Sequence, residues 1–377
     1  MSSLKCLSKT AVSTACSCMR SGRPSSVPVS GEPNRIRSGL HTGLSITDDP
    51  RCRPERRVCA SVLEHFNTQY REELGEVWLS AREVLLNPHS WQYGVLLNRF
   101  SEHVDIKAVL KSLGYYSLLS QPDSPKARAF QCLIHKDAVR LPTQRHREGW
   151  LKQYYLLNAA SLLPVLALSV RDGESVLDLC SAPGGKALAI LQTANPGLLH
   201  CNEVDKSRYE WLVKTLESYV PRALGDTLAV TNEDGRDIAS KKPETFDKVL
   251  VDAPCSNDRS WLFSGGAHQG ALRLRERDKL PQLQKELLCS ALAAVRPGGV
   301  VVYSTCTFSR AENQSVMEAL LSTSQGVELV ELEEDLIGSL SGHFKFAHLR
   351  PPLGHLVVPE QGRTWGPMYV CRLRRSP

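Results

Sequence analysis

The pattern of hydrophobic and polar positions changes character near residue 171. Before that point, residues 58 to about 100 place apolar side chains three and four apart, as in VLEHFNTQYREELGEVWLSAREVLL. That spacing predicts helix, and Asn87-Pro88 predicts where the helix stops. The residues that follow, up to 157, are mixed and basic. The pattern therefore predicts a small helical or α+β portion at 58–157.

From Arg171 onward, short apolar runs alternate with helix-like stretches such as 205–219 and 278–295. Near-continuous apolar strands that alternate with helices predict a mostly parallel sheet with helices on both faces. Ligands of such sheets bind beyond the carboxyl ends of the strands. The seven predicted strands are SVLDLC (175–180), LLHCNE (198–203), TLAVTNED (227–234), DKVLVDA (247–253), GVVVYST (299–305), VELVEL (327–332) and MYVCRLR (368–374).

The composition is that of a soluble globular protein with a sizeable core. The 377 residues are 42% hydrophobic and 23% charged, which suits one large domain and a smaller one. No run reaches the roughly 20 apolar residues of a membrane-spanning helix, so we expect no membrane partner. The net charge of +6 suits a polyanionic partner, and Lys and Arg concentrate in 126–152.

The twelve cysteines are scattered along the chain. They form no CxxC pair, and no Cys/His spacing of the zinc type occurs. The sequence therefore predicts no metal site. It also predicts reduced thiols in an intracellular compartment.

The first 47 residues differ in composition from the rest. They carry six Lys or Arg against a single acid, Glu32, and are rich in Ser, Thr and Gly. Acid-poor N-termini rich in Arg and Ser are typical of organellar transit peptides, although a merely disordered tail would look the same. We predict a mitochondrial transit peptide or disordered segment at 1–57, and hence a location in the mitochondrial matrix.

The first predicted strand of the sheet runs into a glycine turn that opens a helix, DLCSAPGGKALAI. Glycines let the backbone approach a ligand closely, and a helix N-terminus offers free N–H groups. Neither GxGxxG nor GxxxxGK[ST] is present, which argues against NAD and ATP. A simple strand–turn–helix corner would also explain the glycines. The candidate cofactor loop consists of Cys180, Ser181, Ala182, Pro183, Gly184, Gly185 and Lys186.

Acidic residues end the strands that follow in the sequence. Glu203 ends the second predicted strand, where a carboxylate can accept hydrogen bonds from both hydroxyls of a ribose. Asp234 ends the third, where it can reach the amino group of an adenine. A simple corner does not explain these acids, so they favour a cofactor that carries an adenosyl group.

Five motifs occur in order in the C-terminal part: LDLCSAPGGK, VDAPCSNDRSW, VRPGG, YSTCTFSRAEN and WGPMYV. They resemble the Nop/Sun family of RNA cytosine-5 methyltransferases over roughly residues 150–375. The paired DAPC and STCT motifs at two strand ends make this resemblance specific. It implies an α/β class I S-adenosylmethionine-dependent methyltransferase fold, Rossmann-like, with a mostly parallel seven-stranded sheet. It also implies S-adenosyl-L-methionine as cofactor. Glu203 departs from the aspartate that is more usual in the family, but either carboxylate can contact a ribose.

Two cysteines, Cys255 in DAPC and Cys306 in STCT, follow strand ends at the same edge of the predicted sheet. A thiolate that adds to C6 of cytosine makes C5 nucleophilic, and such covalent catalysis splits one hard step into two easier ones. By the residues alone we do not choose which cysteine attacks. The resemblance implies that Cys306 forms the adduct and that Cys255 assists product release. Two buried structural thiols are the alternative.

Asp252 and Lys186 complete the candidate catalytic set. Asp252 can engage N3 and the exocyclic amine of the cytosine as charge develops, and we also place it among the cofactor-binding residues. Lys186 closes the cofactor loop and either reaches the active site or is an ordinary lysine at the start of a helix.

The segments CNE, DAPCSNDRSWLFS and GPMYV resemble the mitochondrial branch of the family. This implies RNA as the partner, mitochondrial tRNA as its class, and the wobble cytosine (position 34) of methionine tRNA as the target. Ribosomal RNA, or several tRNAs, are alternatives with the same chemistry. A catalytically idle RNA-binding assembly factor would not need Asp252, Cys255 and Cys306. A DNA methyltransferase would be expected to manage with one motif cysteine.

These predictions divide the chain into three parts. Residues 1–57 are the transit peptide or disordered segment. Residues 58–157 form an N-terminal subdomain that contacts RNA, and residues 158–377 form the methyltransferase catalytic domain.

Overall fold

The structure is a computed structural model that describes residues 57–101, 106–119 and 130–377. The transit peptide predicted at 1–57 lies, apart from its last residue, outside the described residues and stays a prediction. Within the described part of the chain, no helix is both long enough and apolar enough to cross a membrane.

The N-terminal part combines helices with a small antiparallel sheet, so it is the α+β alternative that the structure contains. Its α-helices are α1 (Ala60–Leu74), α2 (Glu76–Leu86) and α3 (Ile106–Ser112). Its strands are β1 (Gly94–Leu97), β2 (Tyr116–Ser117), β3 (Cys132–Ile134) and β4 (Tyr154–Leu157), in the order β2-β3-β1-β4.

The predicted helix stop at Asn87-Pro88 is confirmed, because α2 ends at Leu86, but the apolar run that continues the pattern beyond it forms the strand β1 and not helix. β1 pairs antiparallel with both β3 and β4, and all four of its residues are buried. A short apolar run does not by itself distinguish a strand from a helix. The strand forms here because pairing partners far along the chain satisfy its backbone.

A larger sheet carries the remaining strands of the described residues, in the order β11-β12-β13-β9-β8-β5-β6-β7, with β10 paired to β13. The run from β7 to β9 is parallel, whereas β10 to β13 pair antiparallel with their neighbours. These strands are β5 (Ser175–Asp178), β6 (Leu198–Asn202), β7 (Leu228–Thr231), β8 (Phe246–Asp252), β9 (Val295–Thr305), β10 (Val327–Leu329), β11 (Lys345–Ala347), β12 (His355–Val358) and β13 (Met368–Arg375).

This larger sheet has nine strands where the sequence predicted seven. All seven predicted strands are present, and β11 and β12 are the two additions. β11 has only three residues, and none of them is fully buried. β12 is a four-residue strand that ends immediately before Pro359. Strands this short give almost no alternation for a sequence pattern to detect.

Two hydrophobic clusters cover the two faces of the larger sheet. Successive strand residues point to opposite faces. Val176 therefore packs in the cluster that contains residues of α5 and α6, while its neighbour Leu177 packs with residues of α10, α1 and α2. The helices of this part are α4 (Leu163–Leu168), α5 (Gly185–Thr193), α6 (Lys206–Tyr219), α7 (Ile238–Lys241), α8 (Asp258–Trp261), α9 (Ala267–Arg277), α10 (Leu280–Ala294), α11 (Gln314–Leu321) and α12 (Glu334–Ser341).

The strand register brings the carboxyl ends of the parallel strands to one edge of the sheet. Asp252, the last residue of β8, lies opposite Ser304 of β9. Asp178, the last residue of β5, lies opposite Cys201 of β6 and Leu250 of β8. The loops that follow these strands carry most of the residues that the sequence singles out.

Candidate active site

The cofactor loop connects β5 to α5 in a conformation that only glycine adopts readily. Gly184 has a φ of 103°, in the region that disfavours side chains, and a Cβ there would lie 3.1 Å from Leu212 and 3.2 Å from Thr215 of α6. Its N–H donates to Ser181 O at 2.8 Å, and the N–H of Ser181 donates to Asn202 O at 2.8 Å. The loop is therefore closed on itself and tied to the end of β6.

Asp178, which is not among the site residues predicted from the sequence, lies fully buried beneath this loop. Its Oδ2 accepts a hydrogen bond from Ser181 Oγ at 2.8 Å, but its Oδ1 has no partner. Burial raises the pKa of Asp178 to about 7. Such a carboxylate is stabilised by a nearby cation, because a positive charge favours the ionised form.

Glu203 is also buried, and it lies beside the same loop. Its Oε1 accepts from the Asp205 N–H at 3.1 Å, and its Oε2 lies 3.3 Å from Arg208 Nη1 without forming a hydrogen bond. Arg208 donates in turn to Ala182 O at 2.7 Å. The predicted ribose contact is thus held against the loop by an arginine that the sequence did not indicate.

Asp234 is placed differently from Glu203. Arg236 binds it through three side-chain hydrogen bonds: Nη2 to Oδ2 at 2.6 Å, and Nε to Oδ1 and Oδ2 at 3.0 and 3.1 Å. Hydrogen bonds from Arg236 lower the pKa of Asp234. About a third of its side chain is exposed, so it lies at the rim of the site and its role in adenine binding stays a prediction.

The acids near the loop create a region that suits a cationic ligand. Burial raises the pKa of the Cys180 thiol well above its ordinary value, and the carboxylates of Glu203, Asp178 and Asp252 raise it further. S-adenosyl-L-methionine carries a positively charged sulfonium group and a ribose. The unpartnered carboxylate oxygens and the glycine turn therefore fit this cofactor.

Lys186 and Asp252 form an ion pair at the carboxyl end of β8. Lys186 Nζ lies 2.7 Å from Asp252 Oδ2, and Ser304 Oγ donates to Asp252 Oδ1 at 2.8 Å. Burial lowers the pKa of Lys186, but Asp252 and, to a smaller extent, Cys306 raise it, so the net shift is upward. Lys186 therefore reaches the candidate active site as a charged ammonium.

The two cysteines lie in contact. Cys255 Sγ is 3.3 Å from Cys306 Sγ, and the Cys306 N–H donates to Cys255 Sγ at 3.3 Å. The hydrogen bond with Cys306 is the main cause that raises the pKa of Cys255 above its ordinary value, and burial adds to it. Cys255 is therefore kept as a thiol whose S–H can face Cys306.

The structure thus gathers most of the predicted residues at one sheet edge. Asp178, Arg208 and Ser304 are polar residues at this edge that were not predicted from the sequence. Asp178 was recognisable as one more acid at a strand end, whereas nothing in the sequence signals the contacts of Arg208. Throughout the described ranges, no group of three or more His, Cys, Asp or Glu side chains could hold a metal ion.

Comparison with known proteins gives one family match. The family described as 16S rRNA methyltransferase RsmB/F matches residues 165–365. That span includes the cofactor loop and both cysteine motifs.

Two relatives are similar over most of their length. The mitochondrial tRNA (cytosine(34)-C(5))-methyltransferase of Danio rerio is 65% identical over 328 residues, which is 86% of this chain and 89% of the relative. The 5-cytosine rRNA methyltransferase NSUN4 of Mus musculus is 36% identical, over 86% of this chain and 91% of the relative.

A solved structure shows the fold. The methyltransferase homolog protein from Pyrococcus horikoshii has a TM-score of 0.58 and is 22% identical, and the match covers 84% of this chain and 100% of that one. The predicted methyltransferase fold class is thereby confirmed.

Proposed function

Because the chain belongs to the RsmB/F family of RNA methyltransferases, also called Nop/Sun, we propose that it forms 5-methylcytosine in mitochondrial tRNA. The target that we propose is the wobble cytosine, position 34, of methionine tRNA. The observation that carries the proposal is the pair of sulfurs at 3.3 Å beside the Lys186–Asp252 ion pair. The close similarity to a mitochondrial enzyme named for cytosine 34 supports the choice of substrate.

S-adenosyl-L-methionine supplies an electrophilic methyl group when it is bound. The loop from Cys180 to Lys186 would hold it, with Glu203 on the ribose hydroxyls and Asp234 at the adenine. Asp178 and Asp252, which lie at the strand ends beside this loop, would supply carboxylates that favour a positively charged ligand. The helix that begins at Gly185 presents its free N–H groups to the same space.

Cys306 is the nucleophile in this mechanism. Its thiol gives up its proton to solvent, and the resulting thiolate sulfur forms a bond to C6 of the cytosine. The electron pair of the C5–C6 double bond shifts into the ring, which makes C5 a nucleophilic carbon. Negative charge then develops toward N3 and O2 of the ring. The Lys186 ammonium, held by Asp252, lies at the same strand end to stabilise that charge.

Cys255 assists the release of the product. Once C5 carries the methyl group, its proton must leave to a base; the electrons of that C–H bond restore the C5–C6 double bond, and the C6–S bond breaks. Cys255 is in contact with the departing sulfur of Cys306, so it is placed to take part in this elimination. Attack and release therefore use different sulfurs at the same site.

A base within a stacked helix is out of reach, so the target cytosine has to leave its stack. We propose that the subdomain at 58–157 contacts the RNA and that the protein works in the mitochondrial matrix after removal of the segment 1–57. Mitochondrial ribosomal RNA is the second candidate substrate, which the more distant similarity to a 5-cytosine rRNA methyltransferase favours.

The test uses trapping on RNA. Wild type, Cys255→Ala and Cys306→Ala are each incubated with S-adenosylmethionine and either methionine tRNA or small-subunit ribosomal RNA from mitochondria. We expect Cys255→Ala to accumulate a covalent protein–tRNA band on a denaturing gel, and Cys306→Ala to give neither band nor 5-methylcytosine. A tRNA with uridine at position 34 is the matched control and should give no band.

Each other outcome corrects one part of the proposal. Methylation by Cys306→Ala would overturn the nucleophile. A band with ribosomal RNA alone would overturn the substrate. If wild type methylates neither RNA, the enzymatic proposal fails.

A further inference from the structure

A cluster of buried polar side chains lies behind the two cysteines, and none of its members belongs to the site described above. Each of these residues is at most 6% exposed. They come from α1, from α8 and the loop before it, from the end of α9, and from the loop and short helical turn after β9. This cluster, which we name the clamp, consists of Tyr70, Ser256, Asp258, Arg277, Thr307 and Glu312.

Asp258 ties the loop of Cys255 to the loop of Cys306. It stands three residues after Cys255, and its Oδ2 accepts the Phe308 N–H at 2.7 Å, two residues beyond Cys306. Its Oδ1 accepts from Thr307 Oγ1 at 3.0 Å. One carboxylate thus fixes the backbone that follows one cysteine to the backbone that follows the other.

Glu312 also connects the two cysteine loops, but here the carboxylate comes from the loop of Cys306 and the donors come from the loop of Cys255. It follows Cys306 in the chain and accepts two hydrogen bonds from Ser256, the residue next to Cys255. The Ser256 N–H donates to Oε2 at 2.9 Å, and Ser256 Oγ donates to Oε1 at 2.6 Å. The main chain beside Cys255 therefore has its position set by Glu312.

Two buried carboxylates need positive charge, and Arg277 supplies it. Arg277 Nε lies 3.3 Å from Glu312 Oε1, and its Nη2 donates to the Tyr70 hydroxyl at 2.5 Å. The Tyr70 hydroxyl in turn donates a hydrogen bond to Asp258 Oδ1 at 2.9 Å. A tyrosine hydroxyl can accept one hydrogen bond and donate another, so Tyr70 links the arginine to the carboxylate that Arg277 does not contact itself.

We propose that Tyr70 and Arg277 are positioning residues that fix the separation of the Cys255 and Cys306 sulfurs and, through it, the rate at which methylated RNA leaves Cys306. The proposal rests on the proposed function. Release needs Cys255 close to the C6–S bond of the adduct, whereas attack needs only Cys306 and the cytosine. A misplacement of about 1 Å can cost about 100-fold in rate. A looser clamp therefore slows release more than attack.

Tyr70→Phe is the sharpest variant, since it deletes one hydroxyl and keeps a ring that packs against Trp78 and Phe308 at centroid distances of 5.0 and 5.4 Å. We expect the turnover number to fall by about tenfold and the covalent RNA band at steady state to rise by about fivefold. The KM for S-adenosylmethionine should stay within about twofold of wild type. Arg277→Lys, which keeps the charge, should show a smaller defect than Arg277→Gln.

Tyr369→Phe is the matched control. It removes another buried hydroxyl, which donates to Leu353 O at 2.5 Å and lies outside the clamp. We expect it to leave the turnover number and the band unchanged. The proposal is overturned if Tyr70→Phe behaves like this control, or if it lowers turnover without raising the covalent band.

A second measurement, made without RNA, follows how fast the Cys255 and Cys306 sulfurs form a disulfide. Diamide takes two electrons and two protons from a pair of thiols, so that one S–S bond forms and its N=N bond becomes HN–NH. Mass spectrometry of tryptic peptides then follows the Cys255–Cys306 crosslink, which should form about threefold more slowly in Tyr70→Phe.

The two measurements separate failure of the clamp from failure of the proposed function. An unchanged crosslinking rate, with wild type active on RNA, overturns the clamp alone. A slowed rate, with wild type inactive on every RNA, supports the clamp and overturns the methyltransferase proposal.

Discussion

The cofactor end and the cysteine end of the site treat their buried carboxylates in opposite ways. At the cofactor end, Asp178 Oδ1 and Glu203 Oε2 are buried carboxylate oxygens without a hydrogen-bond donor. At the cysteine end, Asp258 and Glu312 are equally buried, but all four of their carboxylate oxygens accept hydrogen bonds from the protein. Unmet acceptors cost folding free energy until a ligand satisfies them. The first end is therefore built to be completed by a bound molecule, and the second is organised by the chain itself.

The largest effect should come from breaking the satisfied end. Glu312→Gln leaves the buried Arg277 without its contacting carboxylate, and we expect it to lower the free energy of unfolding by about 3–5 kcal/mol. Urea denaturation of the protein without cofactor measures this. Glu318→Gln is the control, because Glu318 pairs with Arg310 at the surface and should change stability by at most about 1 kcal/mol. If the two variants lower the free energy of unfolding equally, the buried Glu312–Arg277 pair contributes no more than a surface ion pair, and the expectation is wrong.

Replacing a buried carboxylate by its amide at the cofactor end should raise, and not lower, the free energy of unfolding. The folded-state pKa of Asp178, about 7, lies above its ordinary value of 3.8, so folding stability is lost as pH rises between these values. Asp178→Asn removes the buried charge, and we expect the cofactor-free protein to gain about 1–2 kcal/mol at pH 8. The gain should shrink toward pH 5. A loss of stability at pH 8 in urea denaturation would show that Asp178 is already satisfied without ligand.

Gly184→Ala tests the shape of the loop and not its charge. The positive φ and the close approach of Leu212 and Thr215 make any side chain unfavourable there, at a cost of about 1–2 kcal/mol. Gly338→Ala is the control, since Gly338 lies inside α12 with open space around it, and alanine should stabilise a helix there by about 0.5–1 kcal/mol. Thermal unfolding of both variants measures these changes in stability. If Gly184→Ala is as stable as wild type, the turn at Gly184 does not require glycine.

The smallest effect should be a pH dependence of cofactor binding. A bound sulfonium favours ionised Asp178, so by linkage the affinity for S-adenosylmethionine should rise as pH increases through 7. We expect a change of about threefold to tenfold between pH 6 and 8.5 in calorimetric titrations. The slope should disappear in Asp178→Asn. A slope that persists in this variant would assign the titration to another group.

Much of the fold was readable from the sequence because buried parallel strands carry near-continuous apolar runs. β5, β8 and β9 lie where those runs predicted them, and the helices predicted at 205–219 and 278–295 correspond to α6 and α10. β1 and β12 were missed, because strands of four residues acquire their structure from partners distant in the sequence and not from their own pattern.

In the candidate site, too, features with a local sequence signature were predictable and those set by distant contacts were not. The glycine loop and both cysteines were predictable, since turns and strand ends have local signatures and parallel strands share one edge. Placement of Asp234 under Arg236, and of Arg208 against the loop, was not predictable, because long side chains choose their partners by proximity in three dimensions.

The sequence by itself determined the layered α/β architecture, the cofactor loop and the presence of two thiols at one sheet edge, because strands and turns have local signatures and parallel strands end at the same edge. Only the tertiary structure decided that the thiols touch and that a tyrosine 188 residues before Asp258 helps to hold them. Hydrogen bonds between buried side chains have no period in the sequence. They form only after packing has brought their elements together and has removed the water that would otherwise compete for them.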